Sequence, residues 1–166
     1  MDLVFSVGFG SQKREDEIRR ILKDQDTTTA VILAAVHFEW MLKRAILKLG
    51  MSPTKALREQ LADVYTINDK KGRREDYKAI WRREVQIRFA NAALGTVLGR
   101  LNAIQNVALD LRGRIVHGNG TASRKQAEAA VELFLDAGEK LRAFAEKGGE
   151  NLDSRLKRRI RARKIS

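Results

Sequence analysis

The chain holds two histidines and no cysteine, so few residues are available for acid–base or metal chemistry. His117 lies in the run Leu111-Arg112-Gly113-Arg114-Ile115-Val116-His117-Gly118-Asn119-Gly120. An imidazole titrates at about 6.5 when unperturbed, so it can take or give a proton near neutral pH. At a helix end it can instead cap the last carbonyls, where the helix dipole favours its charged form. Arg112 sits one turn on from Ala108 and beside Leu111, which inclines it toward the core edge. A partly buried guanidinium needs a carboxylate or an anion. Glu39, at the edge of an earlier apolar stripe, is the best internal carboxylate, and a structural ion pair with Arg112 is one reading of both. On an ideal helix Arg112 and His117 stand about 140° apart. Arg114, three residues before His117, is the better same-face neighbour.

The remaining motifs exclude more than they support. His37 lies off the main stripe of its helix and reads as an ordinary surface residue. His37-Phe38-Glu39 matches half of a zinc-deaminase signature, but the Pro-Cys-x-x-Cys half is absent. Neither H-E-x-x-H nor a P-loop is present, and Gly8-Phe9-Gly10 is too short for a phosphate loop. Without cysteines there are no thiolate metal sites and no disulfides. Hydrolysis by this chain is therefore expected to need no metal or other cofactor.

Helices must position these residues. Val31, Ala35, Phe38, Leu42, Ala45 and Leu49 recur every three or four positions, predicting a helix from Thr27 to Leu49. The threonines at 27–29 can cap it, and Gly50 stops it. Ser52-Pro53 reads as N-cap and first position of a helix running to about Val64. Residues 68–74 form a polar loop, and helix resumes near Glu75. Leu94, Leu98, Leu101, Ile104, Ala108, Leu111 and Ile115 then hold the most regular repeat in the chain. Within it, Asn102, Asn106, Asp110, Arg114 and His117 make one polar stripe. Gly95 and Gly99 leave a flat face there. Ser123 and Gln126 have capping-box spacing at the head of a last helix, to Lys147. The fold class expected is all-α: an antiparallel bundle of four to five helices. Residues 1–26 would be an N-terminal extension with a short charged helix, 27–147 the bundle, and 148–166 a basic tail. No role attaches to the N-terminal LVFSVGF.

At 166 residues, with 43% hydrophobic content and a net charge of +12, the chain has room for one domain with a real core. No run approaches the roughly 20 apolar residues of a membrane span. Asp2 stands where a secretory signal would be basic, so a cytoplasmic protein with an anionic partner is expected. Residues 151–166 carry half of the charge, a net +6 from seven basic residues and one acid. Arg155, Lys157, Arg158, Arg159, Arg161, Arg163 and Lys164 therefore read as a mobile arm for a nucleic-acid backbone, or as a merely solvated end.

The segment Arg112-Gly-Arg-Ile-Val-His117, followed by Gly118 at a helix end, resembles the R-x4-6-H motif of the HEPN superfamily. Phe38-Glu39-Trp40-Met41-Leu42-Lys43 resembles the first core helix of many such domains, where an acidic residue recurs. Helix order and spacing extend the likeness over residues 27–147. The resemblance implies a metal-independent endoribonuclease, often a toxin or anti-phage effector. It implies catalysis by Arg112 and His117, support from Glu39, Arg114 and Asn119, and RNA as substrate. It also implies a homodimer with facing motifs, and a cognate antitoxin or nucleotidyltransferase as a further partner. Many ribonuclease members have Asn, Asp or His after the Arg; here the residue is Gly113. A non-catalytic helical module that binds nucleic acid or protein is the alternative.

Overall fold

The computed structural model describes residues 10–165. The LVFSVGF segment and most of Gly8-Phe9-Gly10 lie outside the described residues. Among those described, all regular structure is helical, in the order α1 (Ser11–Lys23), α2 (Thr27–Leu49), α3 (Thr54–Ala62), α4 (Tyr77–Glu84) and α5 (Leu94–Leu98). There follow α6 (Leu101–Ala103), a π-turn (Ile104–Ala108), α7 (Leu109–Val116) and α8 (Arg124–Lys147). No helix among them is long and apolar enough to cross a membrane.

The two long helices obey local rules closely. α2 is capped by Asp26, whose carboxylate accepts the Thr29 N–H at 3.2 Å, so the cap lies one residue before the threonines. Gly50 ends it because the backbone turns there in a tight space: a Cβ would lie 2.5 Å from the Ile46 carbonyl oxygen and 2.7 Å from Leu57. Ser123 and Gln126 form the reciprocal capping box of α8, at 3.2 and 3.1 Å. α3 begins after Pro53 rather than Ser52, and ends two residues early at Ala62. Ser52 instead binds Glu84, a buried carboxylate that also accepts the N–H groups of Met51 and Ser52, each at 2.8 Å.

The expected apolar stripes become the core. Val31, Ala35, Phe38, Leu42, Ala45 and Leu49 of α2 are buried, as are Ala127, Ala130, Phe134, Ala137 and Leu141 of α8. The expected antiparallel order needs one correction. α2 and α8 run parallel: Thr27 donates to the Ala122 carbonyl at their heads, Phe38 meets Phe134 midway, and Leu49 lies against the position of Gly148 at their ends. α1 and the α6–α7 segment return against this pair. Arg14 near the start of α1 reaches His37 in mid-α2, and Arg100 before α6 pairs with Asp136 in mid-α8.

Three further expectations are overturned. The repeat from Leu94 to Ile115 is not one regular helix. Gly99 has φ +74°, in the left-handed region, and ends α5 there. The π-turn follows, with the Leu109 N–H reaching back five residues to Ile104. Apolar spacing of three and four is satisfied equally by two helices joined at a glycine, so periodicity did not reveal the break.

His37 is not a surface residue; it is 1% exposed. α1 is not an appendage either, because Ile18 and Ile21 enter the core and Glu15 meets His37. His37 Nε2 lies 3.1 Å from Glu15 Oε1, and Arg14 Nε donates to His37 Nδ1 at 3.4 Å. An Nε2–H imidazole satisfies both contacts. Arg142 of α8 also binds Glu15, and donates to Ser11 Oγ at 3.0 Å. Ser11 in turn donates its N–H and hydroxyl to Asp153, each at 2.9 Å. Burial pushes the Glu15 carboxyl up, but the His37 hydrogen bond and the charge and hydrogen bond of Arg142 outweigh it and hold the group below its ordinary range.

Candidate functional site

A cleft of about 540 Å³ opens beside the C-terminal end of α7. Its walls bring together residues far apart in the chain. Glu39 comes from α2, Arg112, Gly113 and Arg114 from α7, and His117 and Asn119 from the turn beyond. The apolar residues on the other side of these helices decide this placement. Phe38 and Leu42 bury one face of α2, and Ala108 and Leu111 bury one face of the π-turn and α7. Glu39 and Arg112 are left half-buried at the edge between those helices.

The end of α7 is built by backbone alone. His117 is the C-cap, and Gly118 follows with φ +71°. The Gly118 N–H bonds the Ile115 carbonyl at 3.1 Å, and the Asn119 N–H bonds the Arg114 carbonyl at 2.8 Å. This pair is a Schellman motif, which satisfies the last carbonyls of the helix. The imidazole of His117 is therefore not occupied in capping, and it stands exposed at the cleft. His117 and Arg112 line one cleft, although five residues on an ideal helix would set them about 140° apart.

Arg112 and Glu39 share the cleft without an ion pair, and Arg112 makes no side-chain hydrogen bond among the described residues. Arg114 is paired with Asp110 at 3.2 Å, and both side chains are about half exposed or more. Such a pair is weak, about 0–1 kcal/mol, and yields readily to a stronger anion. Glu39 also acts inward: burial raises the Tyr77 phenol well above its ordinary range, and the Glu39 charge adds to this. Asn106, Asp110, Arg114 and His117 of the polar stripe line the cleft, but Asn102 does not. The π-turn adds a residue to one turn of the helix, and Gln105 faces the cleft instead.

Gly113 is part of the cleft wall, and a Cβ there would meet nothing within 4 Å. Packing therefore does not require a glycine at this position. No group of three or more His, Asp or Glu residues able to hold a metal occurs among the described residues. The side chains lining the cleft include a group able to transfer a proton, His117, and two guanidiniums able to bind an anion, Arg112 and Arg114.

The basic tail lies along the ends of α2 and α3, which corrects the expectation of a mobile arm. Leu152 is fully buried, and its carbonyl accepts from Arg44 at 3.0 Å. The Thr54 N–H donates to the Arg159 carbonyl, the Arg159 N–H donates to Thr54 Oγ1, and the Arg159 guanidinium donates to the Ser52 carbonyl at 2.8 Å. Arg163 donates to the carbonyls of Lys48, Leu49 and Gly50 at 3.0–3.2 Å. Arg88 also donates to the Leu49 carbonyl. These guanidiniums sit at the negative end of the α2 dipole and satisfy its last carbonyls. Arg155, Lys157, Arg158, Arg161 and Lys164 remain exposed.

Tyr65 and Gln105 line the cleft and were not anticipated. Tyr65 follows buried Val64 in a connection between helices, where sequence periodicity is silent. No family model, curated protein or solved structure matches this chain.

Proposed function

We propose that this chain is a metal-independent endoribonuclease of the HEPN type, acting as a homodimer in a cytoplasmic toxin or anti-phage defence system. The observation that carries the reading is the convergence of Glu39, Arg112, Arg114, His117 and Asn119 on one cleft. Neutral His117 takes the proton of an RNA 2′-hydroxyl as that oxygen attacks the adjacent phosphorus. The bond from phosphorus to the 5′-oxygen breaks, and a second, protonated imidazole gives that oxygen its proton. A second copy of the chain supplies that imidazole, because one His117 cannot serve both faces of an in-line displacement. Exposed Val107 and Val116, 47% and 51% accessible on the same helical segment, are apolar surface that a second copy would cover. Arg112 holds the phosphate in two-point contact and offsets the charge developing on its oxygens, with Arg114 as a second contact. Asn119 offers hydrogen bonds at the cleft mouth, and Glu39 on the facing wall orients the guanidinium. The five exposed tail cations meet the RNA backbone outside the cleft. A cognate antitoxin or nucleotidyltransferase would silence the activity.

Incubation with structured RNA in EDTA tests this. Products ending in 2′,3′-cyclic phosphate and 5′-hydroxyl are expected, and they should vanish in His117→Ala. Cleavage that survives His117→Ala would refute the assignment. The bare wall at Gly113 favours a second reading, a non-catalytic helical module: salt-sensitive RNA binding without turnover would establish it.

A further inference from the structure

Tyr65 is the most exposed aromatic side chain in the cleft wall, at 74%. Its exposure does not come from a loose loop. Val64 and Ile67 on either side are buried, at 2% and 1%. The carbonyls of Thr66 and Ile67 accept the N–H groups of Tyr77 and Lys78 at 3.1 and 3.0 Å. Tyr77 donates its hydroxyl to the Val64 carbonyl at 3.4 Å. The Thr66 hydroxyl reaches Gln105 on the π-turn at 3.5 Å. The backbone that bears Tyr65 is thus fastened on both sides, while its ring has no aromatic, cationic or hydrogen-bonding partner among the described residues.

A solvent-exposed aromatic ring on a fastened backbone offers an open face for stacking. The chemistry around it selects the occupant. Arg112 and Arg114 offer anion contacts in the same cleft, and Gln105 and Asn106 offer amide donors and acceptors beside the ring. An aromatic face, side-chain amides and guanidiniums together match the base, base edge and phosphate of one nucleotide. A base inside a duplex has both faces covered by its neighbours, so only an unpaired one can use the ring.

We infer that Tyr65 is a stacking platform for an unpaired nucleobase whose edge meets Gln105 and Asn106, which makes single-stranded RNA the substrate of this cleft. The inference rests on the ribonuclease reading for its chemistry, but binding alone can test it. Wild type, Tyr65→Phe and Tyr65→Leu are titrated by anisotropy with short single-stranded 2′-O-methyl RNAs, which cannot be cleaved. One base is removed at each position in turn. Wild type should bind the single strand and not the matched duplex, and one abasic position should weaken binding by roughly tenfold. Tyr65→Phe should behave as wild type, within about twofold. Tyr65→Leu should lose roughly tenfold on the intact strand and show no further loss at the abasic position.

Wild-type affinity in Tyr65→Leu, equal abasic penalties in both proteins, or no single-strand binding at all would overturn the platform. So would a change of oligomeric state in Tyr65→Leu, read by sedimentation, because the ring would then belong to a protein interface. Stacking without RNA cleavage in the companion assay would refute only the nuclease reading. Cleavage unaffected by Tyr65→Leu, together with unchanged binding, would refute only the platform.

Discussion

Removing the Glu15 carboxylate should destabilise this protein far more than its place in a charged helix implies. Glu15 is 4% exposed and is shared by His37, which is 1% exposed, and Arg142. Glu15→Ala strands the buried His37 Nε2–H and takes from the partly exposed Arg142 guanidinium its carboxylate partner. Breaking a buried ionic contact from one side costs about 3–5 kcal/mol. A domain of this size has about 5–15 kcal/mol in total. At about 2–4 °C per kcal/mol, Tm should fall by roughly 6–20 °C. Glu15→Gln keeps an acceptor and loses only the charge, so its cost should be smaller, about 1–3 kcal/mol.

Urea titration at several pH values checks both the magnitude and its origin. Glu15 is held below its ordinary range, so the unfolded chain binds its proton more readily than the folded one. The stability it supplies is fully present above the unfolded value, about pH 4.5, and is lost as pH falls through the lower folded value. The gap between wild type and Glu15→Gln should therefore narrow below about pH 4.5. A gap under about 1 kcal/mol at neutral pH, or one that stays constant into acid, would refute the reasoning. Glu17→Ala, on the solvated face of the same helix, is the control and should change stability little.

Three further outcomes are expected. Gly113→Ala should raise stability by about 0.5–1 kcal/mol in thermal melts, because the position is helical and a Cβ meets nothing. Gly118→Ala should lower it by about 1–2 kcal/mol, because that residue sits at φ +71°; unchanged melting would mean the Schellman turn is dispensable. Replacing Arg155, Lys157, Arg158, Arg161 and Lys164 with Gln should leave stability within about 0.5 kcal/mol. It should also reduce the log–log salt slope of RNA binding by about 0.7 per lost phosphate contact, whereas Arg159→Ala with Arg163→Ala should lower stability instead. Deleting residues 151–166 outright would confound the two effects, since it also removes buried Leu152.

What could be read from sequence was what depends on near neighbours. Helix periodicity and the Ser123 capping box act within a turn or two, so the reach of α2 and α8 and their buried stripes were legible. So was the grouping of Arg112, Arg114, His117 and Asn119, which follow one another at the end of a helix. The partners of polar side chains were not legible, because they come from distant segments. His37 falls in register with buried Ala34 and Met41 on α2, but its polar partners come from α1, which brings Glu15 and Arg14 onto that face. Asp153 meets Ser11 across 142 positions, and Arg163 closes the end of α2 across more than 110. Charge counting treated all seven tail cations alike, but only geometry could divide those turned onto carbonyls from those left in water. Tyr65 carries no signal in one dimension, and the buried residues flanking it set it in the wall of the cleft that Arg112 also lines. The sequence by itself thus determined an all-helical chain with a histidine at a helix end. The tertiary structure decided that Glu39 and Tyr65 face that residue, because long-range packing sets which surfaces remain to form a cleft.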